Sequence, residues 1–410
     1  MHRTEHAIRG NTRQRSGLRA RTALAGTAAI LAVAATVTVP ATTAAAAPGD
    51  YVALGDSYAA GQEVGGAAGT YPVCKQSVKN YPRVGAARIG LDLTDRSCTK
   101  AKLPDLFAPQ GDVPAQADAL SASTRVVTLT MGGNDLGFSS VLTSCLAVSA
   151  TGPLFSGGSS CREKYTVGGV DTLSKKAVDE VAPALRDAVA KIKGKAPNAR
   201  VVVVGYPTLM PDAAHTPAGG CFAPLSSTHP SFPFITTDLD YIHGVQATLD
   251  AQSRAAAEKS GAEYVSLFAV TSDHSACSAE PYIEQLHLSG FTPSPASMHP
   301  NETGLGFIGD FVANILAAPK EFKGVTGKLF PRGENRFQLQ IWVPEATLLD
   351  TPHITAEVNG RYVAHVSSEH GWYLYFSQID RSRVYYNDIS VKPGEVVTLR
   401  TASGVVQTLK

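Results

Sequence analysis

YVALGDSYAAG, from Tyr51 to Gly61, begins as a short apolar strand and ends in small residues. Gly55, Asp56 and Ser57 stand where that strand should end. Glycine and aspartate are common in turns, and a serine hydroxyl can cap a following helix. The alternative interpretation is a nucleophile at the carboxyl end of a first strand. The two interpretations differ in what they require of the rest of the chain.

Residues 50 to about 318 alternate strand and helix signals. The strand candidates are short, β-branched and nearly all apolar, as parallel strands buried on both faces are. They are Tyr51–Leu54, Arg125–Met131, Arg200–Val204 and Glu263–Phe268. Helical stretches lie within residues 174–197, 241–261 and 306–319. This alternation predicts an α/β fold with a doubly wound, mostly parallel sheet.

The pattern changes after Pro319, where short alternating runs such as RFQLQIWV and EVVTLRT begin. Asn359-Gly360 is a strong hairpin-turn signal. We expect residues 47–320 to form the main domain and residues 325–410 a small, separate all-β domain. Aromatic residues cluster in the second region, and such clusters most often pack across strands; a sugar- or wall-binding surface is the alternative.

The first 46 residues have the layout of a secretory signal peptide. Six arginines stand against a single acid, Glu5, and an apolar, alanine-rich run follows, with small residues suited to cleavage near Ala46. A transmembrane anchor is the alternative, but the run is weakly apolar and no basic stop follows it. We therefore expect a secreted, extracellular protein.

Removal of residues 1–46 changes the charge. Lys+Arg falls from 36 to 30 and Asp+Glu from 35 to 34, so the formal net charge goes from +1 to about −4. A weakly acidic chain of this kind gives no reason to expect a nucleic acid as partner.

All six cysteines follow the predicted cleavage point, and an even number in a secreted chain indicates disulfides. They are Cys74, Cys98, Cys145, Cys161, Cys221 and Cys277. No Cys-x-x-Cys motif is present, so the spacing predicts no metal site. Sequence does not select one pairing, but pairing in sequence order closes the shortest loops and is preferred. Each bridge would stabilise the fold by roughly 2–4 kcal/mol.

Three loops carry reactive residue types to one edge of the predicted sheet, because ligands of such sheets bind beyond the carboxyl ends of the strands. Ser57 follows the first strand, Asn134 follows the strand that ends in TMGGND, and His299 precedes the last helix. A serine needs a base to take its proton, and histidine is the usual one. An asparagine amide and backbone N–H groups near glycines can stabilise an oxyanion.

Three motifs together resemble those of the SGNH, or GDSL, family of esterases and lipases over about residues 50–318; they are Gly55-Asp56-Ser57, Gly132-Gly133-Asn134-Asp135 and His299-Pro300-Asn301. With its six cysteines and its leader, the chain is most similar to the secreted actinomycete members. The resemblance implies a flavodoxin-like strand order. It also implies a serine ester hydrolase that cleaves acyl esters, above all lipid or phospholipid esters, without a cofactor or a metal.

The resemblance also implies the roles of individual residues. Ser57 is expected to be the nucleophile and His299 its base. The oxyanion hole is expected to consist of the Ser57 N–H, the Asn134 side chain and a backbone N–H from the family's second motif. Lys100, two residues after Cys98, is the candidate for that N–H.

Two positions depart from the family pattern. Lys100 stands where the family usually has a glycine, so its side chain would crowd or charge the site. The family acid three residues before the histidine is Ala296 here. A backbone carbonyl, of Ala296 or Ser297, is then expected to orient His299, as in some secreted actinomycete relatives. Asp273 is another acid, and nothing in the sequence places it.

The alternatives are an acetyl esterase acting on carbohydrate and an inactive scaffold that only binds. Retention of Ser57, Asn134 and His299 together favours an enzyme. Asp56 and Asp135 are interpreted as loop organisers. GLGFIG within 304–309 matches a dinucleotide-binding pattern but follows a loop rather than a strand, so it is rejected. We expect a monomer whose partners are a small-molecule or lipid ester and, transiently, a lipid surface or the cell wall.

Overall fold

The computed structural model describes residues 50–289, 292–317, 325–344, 354–365, 373–377, 382–401 and 404–409. The leader predicted for residues 1–46 lies outside these ranges. All described residues belong to one compact unit, residues 46–410. Within the described ranges we find no helix with the length and apolar character needed to cross a membrane.

A five-stranded parallel sheet forms the centre of the first part of the chain. Its strands are β1 (Tyr51–Gly55), β2 (Leu93–Asp95), β3 (Val126–Thr130), β4 (Arg200–Val204) and β5 (Glu263–Val265). They lie in the order β2-β1-β3-β4-β5. This is the flavodoxin-like order, and the predicted doubly wound α/β fold is confirmed.

The sequence prediction differs from the sheet at both of its edges. β2 was not predicted, because three residues with a terminal aspartate carry no apolar run. The strand predicted to reach Phe268 is wrong in its second half, since β5 ends at Val265. The hydroxyl of Ser266 accepts the N–H of Ala269 and caps a short helix there, which an apolar run alone does not reveal.

Helices cover both faces of the sheet. They are α1 (Ser57–Ala60), α2 (Tyr81–Ile89), α3 (Gly133–Leu136), α4 (Phe138–Ser144), α5 (Cys161–Tyr165), α6 (Thr172–Lys176), α7 (Ala182–Lys195), α8 (Thr236–Lys259), α9 (Leu267–Val270) and α10 (Glu302–Ala317). A π-helical turn, Ala177–Val181, joins α6 to α7. Short 3₁₀ helices span Pro72–Cys74, Leu103–Leu106, Gln116–Ala119 and Ser272–His274. Two small hairpins pair Thr166–Val167 with Val170–Asp171 and Leu288–Ser289 with Thr292–Pro293.

The alternation along β4 shows how the two layers are built. Val201 and Val203 belong to the apolar cluster that includes residues of α7 and α8. Val202 and Val204 belong to a different cluster, with Phe311 of α10. Successive side chains of a strand point to opposite faces, so a continuous run of valines buries itself against both helical layers.

Close packing explains two of the three glycines of the GLGFIG segment, Gly304 and Gly309. A Cβ at Gly309 would lie 2.5 Å from Cγ1 of Val84 in α2, and a Cβ at Gly304 would collide with the carbonyl oxygen of Tyr282. These two glycines therefore let α10 approach its neighbours, and the segment begins inside a helix rather than after a strand.

The structure pairs the cysteines in sequence order. The bridges are Cys74–Cys98, Cys145–Cys161 and Cys221–Cys277. The first of them ties down the loop before Lys100, because the N–H of Thr99 also donates to the carbonyl of Cys74 at 3.1 Å.

The described residues after 324 form two four-stranded antiparallel sheets. Their strands are β6 (Thr326–Gly333), β7 (Arg336–Pro344), β8 (Thr355–Val358), β9 (Arg361–His365), β10 (Tyr373–Ser377), β11 (Ser382–Ser390), β12 (Val397–Thr401) and β13 (Gly404–Leu409). The orders are β6-β7-β11-β10 and β9-β8-β12-β13. Asn359 and Gly360, at φ +47° and +77°, make the predicted tight turn between β8 and β9. The predicted all-β character of this region is confirmed, and its separateness as a domain stays a prediction.

Buried ion pairs join these strands to α8. Glu357 of β8, with only 4% of its side chain exposed, contacts the Arg254 guanidinium of α8 at 2.7 Å and that of Arg400 at 3.4 Å. Arg400 of β12 also pairs with Glu258 of α8. Charges withdrawn from water are tolerated when they are paired in this way, so the network fixes the second sheet against the helix.

Candidate active site

Ser57 is the first residue of α1, directly after β1. Gly55 makes the sharp turn possible, because a Cβ there would lie 2.6 Å from the Cβ of Ala59 and 2.9 Å from the Thr130 carbonyl oxygen. The carboxylate of Asp56 caps α1 by accepting the Tyr58 N–H at 3.0 Å. The Ser57 N–H, at the first helical position, has no partner within the helix.

His299 lies against Ser57. Its Nε2 is 2.8 Å from Ser57 Oγ, and its Nδ1 is 3.0 Å from the carbonyl oxygen of Ser297. A carbonyl only accepts, so Nδ1 carries the proton and Nε2 faces the serine hydroxyl with its lone pair. Burial lowers the pKa of His299, with the Ser297 contact opposing it, so the ring is neutral at pH 7.

Of the two carbonyls suggested by the sequence, that of Ser297 contacts the imidazole. The carbonyl of Ala296 instead accepts the backbone N–H of His299 at 3.0 Å. Two side chains that sequence reasoning missed hold this loop from below: the Tyr58 hydroxyl donates to the Met298 carbonyl at 2.5 Å, and Gln62 Nε2 donates to the Pro295 carbonyl at 2.6 Å. Their only sequence signal is that they closely follow Ser57.

Asp273 lies elsewhere. Its side chain is 70% exposed, and Oδ1 is 3.1 Å from Nε2 of His215, whose Nδ1 contacts Asp212 at 2.5 Å. Asp273, which the sequence did not place, therefore contacts His215 and not His299. Among the described residues we find no group of three histidine, cysteine or acidic side chains arranged to hold a metal ion.

Asn134 belongs to α3, at the carboxyl end of β3. Its Nδ2 donates to the Ala101 carbonyl at 3.0 Å, and an amide nitrogen has a second hydrogen to offer. The carboxylate of Asp135 accepts the Leu103 N–H at 3.1 and 3.2 Å. These contacts fix the loop that carries Asn134 to the segment that follows Lys100, as expected of a loop organiser at position 135.

Lys100 adopts a left-handed backbone conformation, with φ +65°. An L-residue in this region pays roughly 1–2 kcal/mol that glycine does not. Lys100 therefore adopts the left-handed conformation that would suit the glycine usual in the family. Its side chain is exposed, and the residue lines the cavity beside Ser57.

Tyr206 is a further site residue that sequence reasoning missed. It follows β4, at the same sheet edge as Ser57 and Asn134, and that position is the signal that could have found it. Its hydroxyl donates to Oδ2 of Asp56 at 2.6 Å and accepts the Gly133 N–H at 2.8 Å. Burial raises the pKa of Asp56 to about 7, with the bonds from Tyr206 and Tyr58 opposing the rise.

A cavity of about 580 Å³ opens over Ser57, Asn134 and His299. Its apolar lining belongs to the main hydrophobic cluster and includes Phe138, Leu142, Leu209, Leu249, Leu286 and Met298. Its polar lining residues contact one another: Thr99 bonds to Gln62, Gln110 to the Thr99 carbonyl at 2.9 Å, and Lys75 pairs with Glu63 at 3.7 Å. The site therefore combines an apolar and a polar surface beside one serine.

Comparison with known proteins agrees with this geometry. The family model of the GDSL-like lipases and acylhydrolases matches residues 53–305. Lipase 2 of Streptomyces coelicolor is 35% identical over 266 residues, which are 62% of this chain and 84% of that protein. An esterase of Streptomyces scabiei is 29% identical over 258 residues, 56% of this chain and 74% of its own length. The crystal structure of an extracellular lipase from Streptomyces rimosus, 25% identical, covers 64% of this chain and 98% of that one with a TM-score of 0.50.

The match spans more than half of the chain and takes in Ser57, Asn134 and His299, while the C-terminal sheets lie beyond it. The chain belongs to the GDSL-like lipase/acylhydrolase family, and the protein is a carboxylic ester hydrolase.

Proposed function

We propose that the protein is a secreted hydrolase of lipid acyl esters, phospholipids included, that works through a Ser57-His299 dyad and an acyl-enzyme. The observation that carries the proposal is the 2.8 Å contact between Ser57 Oγ and His299 Nε2, with Nδ1 of the same ring 3.0 Å from a carbonyl oxygen. The proposed nucleophile thus contacts its base, and the base contacts the group that orients it.

In the proposed reaction, Ser57 Oγ attacks the ester carbonyl while His299 Nε2 takes its proton. The carbonyl oxygen becomes an oxyanion that accepts the N–H of Ser57 and the amide of Asn134, with the backbone N–H of Lys100 as third donor. His299 returns the proton to the leaving alcohol, and the acyl group stays on Ser57. Water, activated by the same histidine, then releases the fatty acid.

The lining of the cavity supports a lipid substrate. Its apolar residues offer far more surface than an acetyl group needs, which disfavours a carbohydrate acetyl esterase. Lys100 brings positive charge to the polar lining, where a phosphate could lie, whereas the charge of Lys75 is paired with that of Glu63. Val73 lines the same cavity and is 64% exposed, so it can touch a lipid surface. Three relatives carry the name lipase, which agrees with this substrate class.

Secretion is proposed on three grounds. They are the leader-like residues 1–46, the three disulfides and the extracellular origin of the lipase from Streptomyces rimosus. Disulfides of this number persist in oxidising compartments.

The test is a panel of p-nitrophenyl esters from acetate to palmitate, together with phosphatidylcholine and an acetylated xylooligosaccharide, on the mature protein. We expect turnover of medium or long acyl chains and of the phospholipid. Ser57→Ala should fold normally, lose turnover by several orders of magnitude and escape labelling by a fluorophosphonate. Turnover of the acetylated sugar alone would show that the substrate is a carbohydrate ester and not a lipid. Full activity of Ser57→Ala would contradict the proposed mechanism.

A further inference from the structure

We propose that Tyr206 is a positioning residue for the oxyanion hole, because its hydroxyl locks the loop that carries Asn134 to the turn that carries Ser57. The inference rests on the proposed function, in which the Ser57 N–H and the Asn134 amide act on the same oxygen. Neither the sequence motifs nor the family resemblance assigns a role to this residue.

The tyrosine hydroxyl connects the residues that precede the two donors. Asp56 comes directly before Ser57, and Gly133 comes directly before Asn134. Tyr206 donates to Asp56 Oδ2 at 2.6 Å and accepts the Gly133 N–H at 2.8 Å. A phenolic hydroxyl has one hydrogen to give, so this pair of contacts uses it fully. A single side-chain oxygen therefore bridges the two loops, beside the main-chain bond from the Asp56 N–H to the Thr130 carbonyl at 3.0 Å.

The surroundings leave that oxygen little freedom. A Cβ on Gly133 would lie 3.1 Å from Oη and from Cζ of Tyr206, so only glycine lets the backbone come this close without pressing on the ring. The Tyr206 ring packs edge-on against Tyr58, with centroids 5.0 Å apart. Asp56, the acceptor, is buried, with 1% of the residue exposed.

Loss of the hydroxyl would free the Gly133 N–H and one oxygen of Asp56 together. Buried polar groups left without a partner move to find one, and here the movement separates the two loops. An oxyanion hole acts on charge that develops only in the transition state. Tyr206 should therefore affect turnover and leave the binding of the ground-state ester almost unchanged.

The experiment compares Tyr206→Phe with Tyr264→Phe. Tyr264 is a matched control, since its hydroxyl also donates to a buried carboxylate, Asp250 Oδ1, at 2.7 Å, and it lies outside the set of described residues that line the cavity. For each variant one would measure kcat and KM on the best p-nitrophenyl ester, and the inhibition constant of an alkyl boronic acid. The tetrahedral boronate places an oxygen where the oxyanion would be.

We expect Tyr206→Phe to lose about 10–100-fold in kcat, as for loss of a bond to a charged group, with KM within about twofold. The boronate should bind more weakly by the same factor as kcat/KM. Tyr264→Phe should lower the thermal midpoint and leave both constants near wild type. The proposal is overturned if Tyr206→Phe keeps the kcat of the control, if only KM changes, or if kcat falls while boronate binding does not.

A second variant keeps the proposal testable if Tyr206→Phe fails to fold. Asp56→Asn alters the other end of the bridge, and by itself it should lower kcat and weaken boronate binding by the same factor, with KM almost unchanged. A kcat near that of wild type, or a change in KM alone, would contradict the proposal. A failure of the proposed function would show itself differently: the wild-type protein would not turn over esters, or the fluorophosphonate would not label Ser57.

Discussion

Nδ1 of His299 lies 3.0 Å from the carbonyl oxygen of Ser297, so main chain rather than a side-chain acid orients the imidazole. A peptide carbonyl has no charge to offer the imidazolium of the proposed mechanism, yet it holds the ring in the tautomer that this mechanism needs. The loop that supplies this carbonyl is held by Tyr58 and Gln62, so orientation depends on the packing of the loop and on no carboxylate of the described residues.

The first prediction follows directly. Asp273→Asn should keep most of the esterase activity, because Asp273 contacts His215 and the site does not use it. His299→Ala should abolish turnover, because no other base faces Ser57 Oγ among the described residues. Turnover would be measured for both variants after circular dichroism has shown that each is folded. Equal losses in the two variants would mean that the site has a displaced acid.

The second prediction concerns Asn134 as an oxyanion donor. Asn134→Ala should lower kcat by roughly 100–1,000-fold, with a smaller change in KM. The matched control is Asn198→Ala, because exposed Asn198 makes the same kind of bond, Nδ2 to the Ala122 carbonyl at 3.0 Å. That variant should retain wild-type kinetics. A change in KM alone would assign Asn134 to substrate binding.

The third prediction concerns pH and Asp56. Burial raises its pKa to about 7 in the folded protein, well above its usual value of 3.8, with Tyr206, Tyr58, Tyr81 and Asp135 as the titratable groups around it. The folded state then binds more protons than the unfolded state between these values. This group therefore stabilises the fold below pH 3.8, and its contribution is lost as the pH rises to 7.

The size of this loss is at most roughly 4 kcal/mol. Asp56→Asn should remove it, so urea unfolding at pH 5 and pH 8 should show a smaller decrease in stability for the variant than for wild type. Asp118→Asn, at an exposed site, should follow wild type at both pH values. Parallel pH profiles for wild type and Asp56→Asn would contradict the raised pKa.

The fourth prediction concerns the left-handed backbone of Lys100. Lys100→Gly relieves the steric cost of φ +65° but adds freedom to the unfolded chain. The two effects should leave the variant as stable as wild type or up to about 1 kcal/mol more stable. Lys102→Gly is the control, because Lys102 has φ −116° and should lose about 0.5–1 kcal/mol. The free energy of unfolding of both variants would be measured in urea. Equal destabilisation of the two variants would contradict the prediction.

The fifth prediction concerns the ion pairs between the second sheet and α8. Glu357→Ala should lower the free energy of unfolding by about 3–5 kcal/mol, because it leaves the guanidinium groups of Arg254 and Arg400 without their shared carboxylate. Glu334→Ala, in an exposed turn of the other sheet, should cost less than about 0.5 kcal/mol. The measurement is urea unfolding, and equal small losses would show that the network contributes little.

Local signals predicted the parts of the molecule that lie within one segment of the chain. The strand after Asp50, the glycine turn before Ser57 and the Asn359-Gly360 hairpin each depend on residues close in sequence. β2 was missed because its three residues become a strand only by pairing with β1. No local rule could have done better there, since the pairing is with a segment some forty residues away.

The candidate site divides in the same way. Ser57, Asn134 and His299 stand in short motifs, so their types and order could be recognised. Tyr206 stands in no motif, and its partners are 150 and 73 residues away in the chain. The choice between Ala296 and Ser297 depended on the direction of one carbonyl, and that direction follows from loop packing.

The ion pairs on α8 have a consequence for any shortened form of this enzyme. α8 carries Arg254 and Glu258 five and nine residues after Leu249, which lines the cavity together with Gln246. A chain cut after Ala317 would take away Glu357 and Arg400 and return both α8 charges to water, on a helix that also lines the cavity. Trimming the protein to its family-matching residues is therefore a change to the wall of the active site, and a minimal enzyme would need a redesigned outer face of α8.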